Sequence, residues 1–384
     1  MIQFLKIFII YCLRIVLRLF YIIPINKRKI LFASYGGKQY SCNPKYIFEY
    51  MIKHYGDAYF YIWSLNTPDI LPEEYENVKI VKFLSFWYIY HALTSGYIIY
   101  NSMVKCYLPF RKNQIIVNTW HGGGAYKTMG LDASPYKKDS ISMKVAIKKA
   151  AKMVNYNISS CKKFTDISSK LWTMSVEKYL SIGMPRNDIM FNIPDSVIKK
   201  VRKYFNVEEN TKIVLYAPTF RGDYRNTDNF TFSLNILHLQ KTLKNKFGND
   251  FLTLYRSHMY DKIMFDKEEA DIICASKYPD MQELLCASDV MITDYSSSIW
   301  DFSFTFKPCF LFTPDLVEYK KTTGFYTPIE EWPFSLAETN KQLIENIISF
   351  DEEKYKHAVK KHHADLGSYE NGTACEQLCC NLFN

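Results

Sequence analysis

The chain has 384 residues, is 48% hydrophobic and 23% charged, and carries a formal net charge of +9. That length exceeds what one core usually supports and predicts two domains, and 14 Gly with 14 Pro is too little for a disordered or low-complexity chain. The ten cysteines show no CxxC pairing, so reduced thiols are expected, with neither a disulfide framework nor a cysteine metal centre.

The charge is uneven. Lys6, Arg14, Arg18, Lys27, Arg28 and Lys29 fall within the first 29 residues without a single acid. Residues 2–23 are otherwise almost continuously apolar. At roughly 100° per residue, Gln3, Lys6, Arg14 and Arg18 share one sector of about 120°. This predicts an amphipathic helix over residues 1–25 lying in a membrane surface, with its cations toward anionic headgroups. Internal arginines and the lack of a small-residue cleavage site argue against a signal peptide. A membrane span or a helix docked on the protein are the alternatives.

After Pro24, short apolar runs alternate with helix-compatible stretches. Runs at residues 29–35, 59–63, 78–83, 97–101, 114–118 and 156–159 predict a parallel sheet with helices on both faces, in a domain over residues 26–190. Residues 136–152 hold Lys137, Lys138, Lys144, Lys148, Lys149 and Lys152 against Asp139 alone, either a solvated face or a second surface for a membrane or polyanion. The rhythm restarts at residues 213–219, 251–255, 272–274, 290–293 and 309–312, predicting a second doubly wound domain over 191–384. Near the end, His357, His362 and His363 lie among lysines and read as a solvated helix surface, while Cys375 and Cys379 have the spacing of a buried helix face.

In open parallel sheets ligands bind beyond the carboxyl ends of the strands. Those ends carry Trp120-His121-Gly122-Gly123-Gly124, Ala217-Pro218-Thr219-Phe220-Arg221, Tyr255-Arg256-Ser257-His258 and Thr293-Asp294-Tyr295-Ser296-Ser297-Ser298. Glycines after a strand let backbone N–H groups approach an oxyanion, serines at a helix start add free N–H groups, and arginines pair with phosphate. His121 and His258 are the histidines at strand ends, suited to act as a base and as a group stabilising phosphate charge. Asp294 is suited to orient a histidine, bind a ligand hydroxyl or cap a helix. The chain has no P-loop, no dinucleotide Gly-x-Gly-x-x-Gly and no Asp-x-Asp pair, which disfavours an NTPase, a dehydrogenase or a nucleotide-bound metal. No cofactor, metal or nucleic-acid partner is expected.

These residues in this order resemble the CDP-glycerol:poly(glycerophosphate) glycerophosphotransferase family. The likeness rests on Trp120-His121-Gly122 with Lys127 and Gly130, Gly183-Met184-Pro185-Arg186-Asn187-Asp188, Tyr216-Ala217-Pro218-Thr219-Phe220-Arg221, Arg256-Ser257-His258 and Thr293-Asp294-Tyr295-Ser296-Ser297. It continues through Asp301-Phe302, Lys307-Pro308 and Gly324-Phe325-Tyr326. The resemblance implies two Rossmann-like domains facing a cleft, a glycosyltransferase-B-like α/β fold, attached at the cytoplasmic face of the cell membrane. It implies transfer of a polyol phosphate, glycerol or ribitol phosphate, from a CDP-activated donor to a hydroxyl of a lipid-linked acceptor, with release of CMP. His121, His258 and Asp294 would be catalytic. Gly122, Gly123, Lys127, Arg186, Thr219, Arg221, Arg256, Thr293, Ser296, Ser297 and Ser298 would bind substrate. The family loop commonly reads Trp-His-Gly-Thr-Pro-Leu-Lys, and here Gly123-Gly124-Ala125-Tyr126 fills its middle, which bears on acceptor and polyol choice. The same architecture would also serve a nucleotide-sugar transferase, and the lysines a non-catalytic polymer-binding protein.

Overall fold

The computed structural model describes residues 2–67, 71, 75, 78–132, 140–219, 234–256 and 272–383. Their chain forms two compact units, one of Met1–Gly123, Met129–Asp188 and Gly367–Asn384, the other of Gly124–Thr128 and Ile189–Leu366.

The first unit is built on strands β1 (Asn26–Ala33), β2 (Phe60–Ser64), β3 (Lys79–Val81), β4 (Ser95–Tyr100), β5 (Ile115–Asn118), β6 (Tyr156–Ile158) and β7 (Tyr179–Leu180). All pairings are parallel and the order is β3-β2-β1-β4-β5-β6-β7, so the winding reverses between β1 and β4. Ile30, Leu31 and Phe32 are all fully buried, as a strand covered on both faces requires. On one face Phe32 stacks on Trp63, with ring centroids 5.5 Å apart, beside Phe48 of the second helix, α2 (Cys42–Tyr55). The first helix, α1 (Ile2–Leu17), and α3 (Phe86–Thr94), α4 (Ile141–Met153) and α5 (Lys162–Leu171) complete the unit up to Asp188.

The second unit repeats the plan. Strands β8 (Lys212–Tyr216), β9 (Phe251–Tyr255), β10 (Ile272–Cys274), β11 (Val290–Thr293), β12 (Cys309–Phe312) and β13 (Ser335–Ala337) pair in parallel in the order β10-β9-β8-β11-β12-β13, reversing between β8 and β11. Val214, Tyr216, Phe310 and Phe312 pack with Leu239 and Leu243 of helix α6 (Ile236–Phe247) and with Leu343 and Ile347 of α7 (Asn340–Ile348).

Two departures from the sequence expectation concern connectivity. Residues 367–384, expected in the second domain, belong to the first unit, because the final helix, Ala374–Phe383, buries Leu378 and Cys379 in the core under β1 and β2. Gly124–Thr128, expected to continue the first domain, belongs to the second unit. There Lys127 bridges Phe325 in antiparallel fashion, and the Tyr126 carbonyl accepts from Tyr326 N at 2.8 Å.

A third departure is at the C-terminal histidines. His357 is exposed, but His362 and His363 are buried in helix α8 (Glu352–Asp365), and His363 bonds Ser303 Oγ at 2.7 Å. Burial pushes the His363 imidazole down to about 4. Cys375 and Cys379 are buried as their spacing predicts.

The amphipathic segment is helical but docks by its polar edge. Arg14 donates to the Cys106 and Leu108 carbonyls at 2.7 and 2.9 Å, Gln3 Oε1 accepts from Ile141 N at 2.9 Å, and Lys149 Nζ lies 3.8 Å over the Tyr11 ring. The apolar side faces outward, with Phe4 66%, Phe8 65%, Ile15 65% and Leu19 69% exposed. Of the expected cationic sector, Lys6 and Arg18 remain exposed and Arg14 turns inward to satisfy carbonyls that α1 would otherwise cover. No described helix is long and apolar enough to cross a membrane. In the lysine-rich segment, Lys144 and Lys148 are exposed on α4, whereas Lys137, Lys138 and Asp139 lie outside the described residues.

Candidate active site

Both sheets place polar groups at strand carboxyl ends at or next to their point of reversal, where an open parallel sheet leaves a crevice. In the first unit β5 stops at Asn118, and Thr119 N continues one step of the ladder to the Tyr100 carbonyl at 2.7 Å. Trp120 then takes a positive φ of 54°, and the Asn118 side chain accepts its N–H at 3.1 Å. This turn delivers His121, half-buried, against the end of β4.

His121 Nδ1 lies 2.7 Å from the Asn101 carbonyl. A carbonyl can only accept, so Nδ1 carries the proton and the neutral ring keeps its lone pair on Nε2. The Trp120 and Tyr35 rings hold the imidazole from two sides, with centroids 4.4 and 5.5 Å away. The loop backbone is fixed from beneath. Asn43 Nδ2 donates to the Thr119 and Trp120 carbonyls at 3.1 and 3.0 Å, and Asn43 Oδ1 accepts from Arg186 N at 3.0 Å.

Arg186, expected to bind substrate, is 4% exposed, and its Nη1 donates to the His121 carbonyl at 2.8 Å. Here its guanidinium supports the histidine loop. Its own segment is anchored by Glu370, which accepts from Met184 N and Asn187 Nδ2 at 2.9 and 3.1 Å, and by Asp188, which accepts Ala374 N and Cys375 N at 2.9 and 2.8 Å. Two backbone N–H groups at a helix start suit a carboxylate there, although burial raises the Asp188 carboxyl.

The three glycines after His121 divide. Gly122 and Gly123 remain in the first unit beside the histidine. Gly124 starts the inserted segment at φ +72°, and a Cβ there would clash with the Tyr126 ring and meet Trp300 Cε3 at 2.8 Å. Packing against two aromatic rings requires that glycine, whatever its neighbours do. Tyr126 in turn stacks on His362, with ring planes 6° apart, and bonds its Nε2 at 3.1 Å through the phenol.

In the second unit the reversal lies between β8 and β11. Asp294, 1% exposed, follows β11 and accepts from Thr219 N at 2.8 Å and from Thr219 Oγ at 2.7 Å, and it also accepts from Tyr295 N. Thr293 Oγ donates to the Ala217 carbonyl at 2.7 Å. These bonds lock the loop after β8 to the loop after β11. Ser296 Oγ and Ser298 Oγ are 2.8 Å apart at the start of a short helix, Ser298–Ser303, with Ser297 before it. Arg256 continues β9, with its N–H on the Tyr216 carbonyl at 2.9 Å and its guanidinium on the Tyr278 carbonyl at 2.7 Å. His258 and Arg221 lie outside the described residues. No group of three or more His, Cys, Asp or Glu suited to a metal ion occurs among the described residues.

Sequence reasoning missed Asn43, Asn101, Tyr35 and Glu370. Asn101 ends a predicted strand beside an apolar run and was in view as a strand end, but a backbone carbonyl leaves no trace in residue type. Asn43 and Glu370 act across 77 and 186 residues of chain respectively.

The profile of the family described as CDP-Glycerol:Poly(glycerophosphate) glycerophosphotransferase matches residues 15–384. The chain is 30% identical to the teichoic acid poly(glycerol phosphate) polymerase of Staphylococcus epidermidis, over 92% of its own length and 50% of that protein's, so it spans about half of this relative. It is 29% identical to the teichoic acid poly(glycerol phosphate) polymerase of Bacillus spizizenii, over 96% of the chain and 92% of the relative. Among solved structures it superposes on the wall teichoic acid polymerase TagF with a TM-score of 0.82 at 28% identity, covering 99% of this chain and 97% of that one. The fold, the strand-end residues and a match over nearly the whole sequence agree: this chain belongs to the CDP-glycerol:poly(glycerophosphate) glycerophosphotransferase family.

Proposed function

We propose that the protein transfers glycerol phosphate, the unit named in both relatives, from CDP-glycerol to a hydroxyl of a lipid-linked acceptor in teichoic-acid or related surface-polymer synthesis. The observation that carries the reading is the His121 imidazole, oriented by the Asn101 carbonyl so that its basic nitrogen is Nε2. In the proposed step the acceptor hydroxyl gives its proton to Nε2 as its oxygen bonds the glycerol-linked phosphorus. The bond from that phosphorus to the bridging oxygen breaks, and CMP leaves with the electron pair. The first unit is read as the acceptor domain and the second as the donor domain of a glycosyltransferase-B-like enzyme. Thr219, Thr293, Ser296, Ser297, Ser298, Arg256 and, by family resemblance, His258 and Arg221 would hold the donor and the leaving phosphate. Asp294 fixes the donor loops, and Gly122, Gly123 and Lys127 are candidates for contact with substrate.

The outward apolar face of α1 supports attachment to the cytoplasmic surface of the membrane, since contiguous exposed apolar patches of this kind mark interaction surfaces. CMP release from CDP-glycerol, compared with CDP-ribitol, with and without a lipid-linked acceptor, tests the reading. Acceptor-dependent release from CDP-glycerol is expected. Release from neither donor by folded protein would overturn it.

A further inference from the structure

The apolar surface of α1 does not stop at the end of the helix. In the 3-10 turn that follows, Arg18–Ile22, both Leu19 and Ile22 are exposed. The Phe20 ring of that turn lies 5.9 Å from the ring of Phe86, which opens α3. Phe86 and its neighbour Trp87 are 62% and 55% exposed. The backbone that carries them is fixed, because Ser85 Oγ caps the helix by accepting from Tyr88 N at 3.2 Å and the Tyr88 side chain is buried. Two large rings held out on a rigid turn add nothing to the core, and contiguous exposed apolar surface of this kind marks an interaction site.

Charge says what kind of partner covers it. Residues 1–48 and 77–131 contain no Asp or Glu. Lys79 Nζ stands 5.4 Å over the Trp87 ring, and the Arg28 guanidinium 5.5 Å over Phe60, another exposed ring. Toward the end of α3, buried Lys29 has Thr94 Oγ at 2.5 Å and the face of Tyr90 at 5.0 Å, but no carboxylate among the described residues. Burial, and then Lys79, hold its ammonium down to about 8. Rings topped by uncompensated cations suit the interfacial layer of a bilayer, where aromatic groups sit at headgroup level and cations meet anionic phosphate. We propose that the first turn of α3 is a second membrane contact, in which Phe86 and Trp87 enter the interface of an anionic bilayer beside α1 and Lys79 meets its headgroups. The inference rests on the proposed membrane attachment of α1 and adds a point off its axis. One helix lying in a surface leaves the unit free to roll about that helix, and the second contact stops the roll.

The test is tryptophan fluorescence of the full-length protein bound to vesicles of phosphatidylcholine and phosphatidylglycerol with brominated acyl chains, which quench rings lodged in the bilayer. Quenching is expected in the parent and should be lost in Trp87→Phe. Phe86→Ser combined with Trp87→Ser, at two exposed positions, should weaken vesicle binding roughly tenfold or more, and thermal unfolding verifies that the variant folds. Vesicles of phosphatidylcholine alone should bind more weakly by a similar factor. Equal binding to neutral vesicles, or a folded double variant that binds like the parent, overturns the proposal. Trp87 left unquenched in vesicle-bound protein assigns the rings to a protein contact and overturns it too. The two readings fail separately. A parent that binds no vesicle strikes the attachment by α1 and this contact with it. Protein that Phe4→Asp with Phe8→Asp releases from vesicles, but whose Trp87 stays unquenched, strikes the second contact alone.

Discussion

The two sheets reverse their winding in the same way, yet what emerges at each reversal differs. At the first, a half-buried imidazole gives its Nδ1 proton to the Asn101 carbonyl and lies against two aromatic neighbours. At the second, a carboxylate is almost wholly buried and accepts from two backbone N–H groups and a hydroxyl. The first arrangement orients a ring and places further supporting bonds on the loop beneath it. The second uses its charged group as the support. One architecture therefore carries an oriented ring in one unit and a locked pair of loops in the other.

Substitutions can break this contrast, and the largest effect is expected at the imidazole. His121→Ala should lower acceptor-dependent CMP release about 10²–10⁴-fold, the range of a lost general base, with little change in unfolding free energy. Turnover within threefold of the parent would remove the histidine from the chemistry. Asp294→Ala should behave in the opposite sense, unfolding the second unit about 2–4 kcal/mol more easily because three donors lose their acceptor. Denaturant titration measures this, and a loss below about 1 kcal/mol would show that the loops hold without the carboxylate.

Each unit also buries a neutral histidine, which gives a matched pair for pH. Burial takes His91 of the first unit and His363 of the second down to about 4 from an ordinary 6.5. Between those values the unfolded chain binds more protons than the folded one, so stability is complete above about 6.5 and falls as pH drops toward 4, then levels off. For His363 the full loss is on the order of 3 kcal/mol, and His363→Gln should remove up to one proton from the slope of unfolding free energy against pH. An unchanged slope would mean that the buried ring does not titrate on unfolding. The smallest effect is expected from Thr219→Val, which keeps shape and the backbone bond to Asp294 but deletes the hydroxyl, about 1 kcal/mol by the same titration.

Much of this was legible in the residues, for physical reasons that differ by site. Strands covered on both faces must be apolar throughout, so β1, β5, β8 and β11 announce themselves, and with them the strand ends that carry His121 and Asp294. The edge strands β7 and β13 have two and three residues and leave no periodicity to read. The burial of His362 and His363 was available in principle: Tyr355, Val359, His362, His363 and Leu366 form a helical stripe, which the surrounding lysines obscured. The contact of Arg186 with the His121 carbonyl was not legible, because guanidinium groups suit phosphate and backbone carbonyl equally well. His258 and Arg221 rest on sequence alone, since both lie outside the described residues.

The return of residues 367–384 to the first unit has a consequence for anyone dividing the molecule. A fragment ending at Asp188 would lack Leu378, Cys379 and Leu382 from its core, together with the Glu370 carboxylate that fastens the Arg186 segment. Such a fragment is a sheet with one apolar face stripped, and it belongs in inclusion bodies rather than in a binding assay. The piece that keeps the first core whole would be a splice, with residues 189–366 replaced by a short linker from Asp188 to Gly367, and it would still carry Gly124–Thr128. Most of the second unit is, in genetic terms, a passenger carried inside the first, with Gly124–Thr128 contributed from upstream.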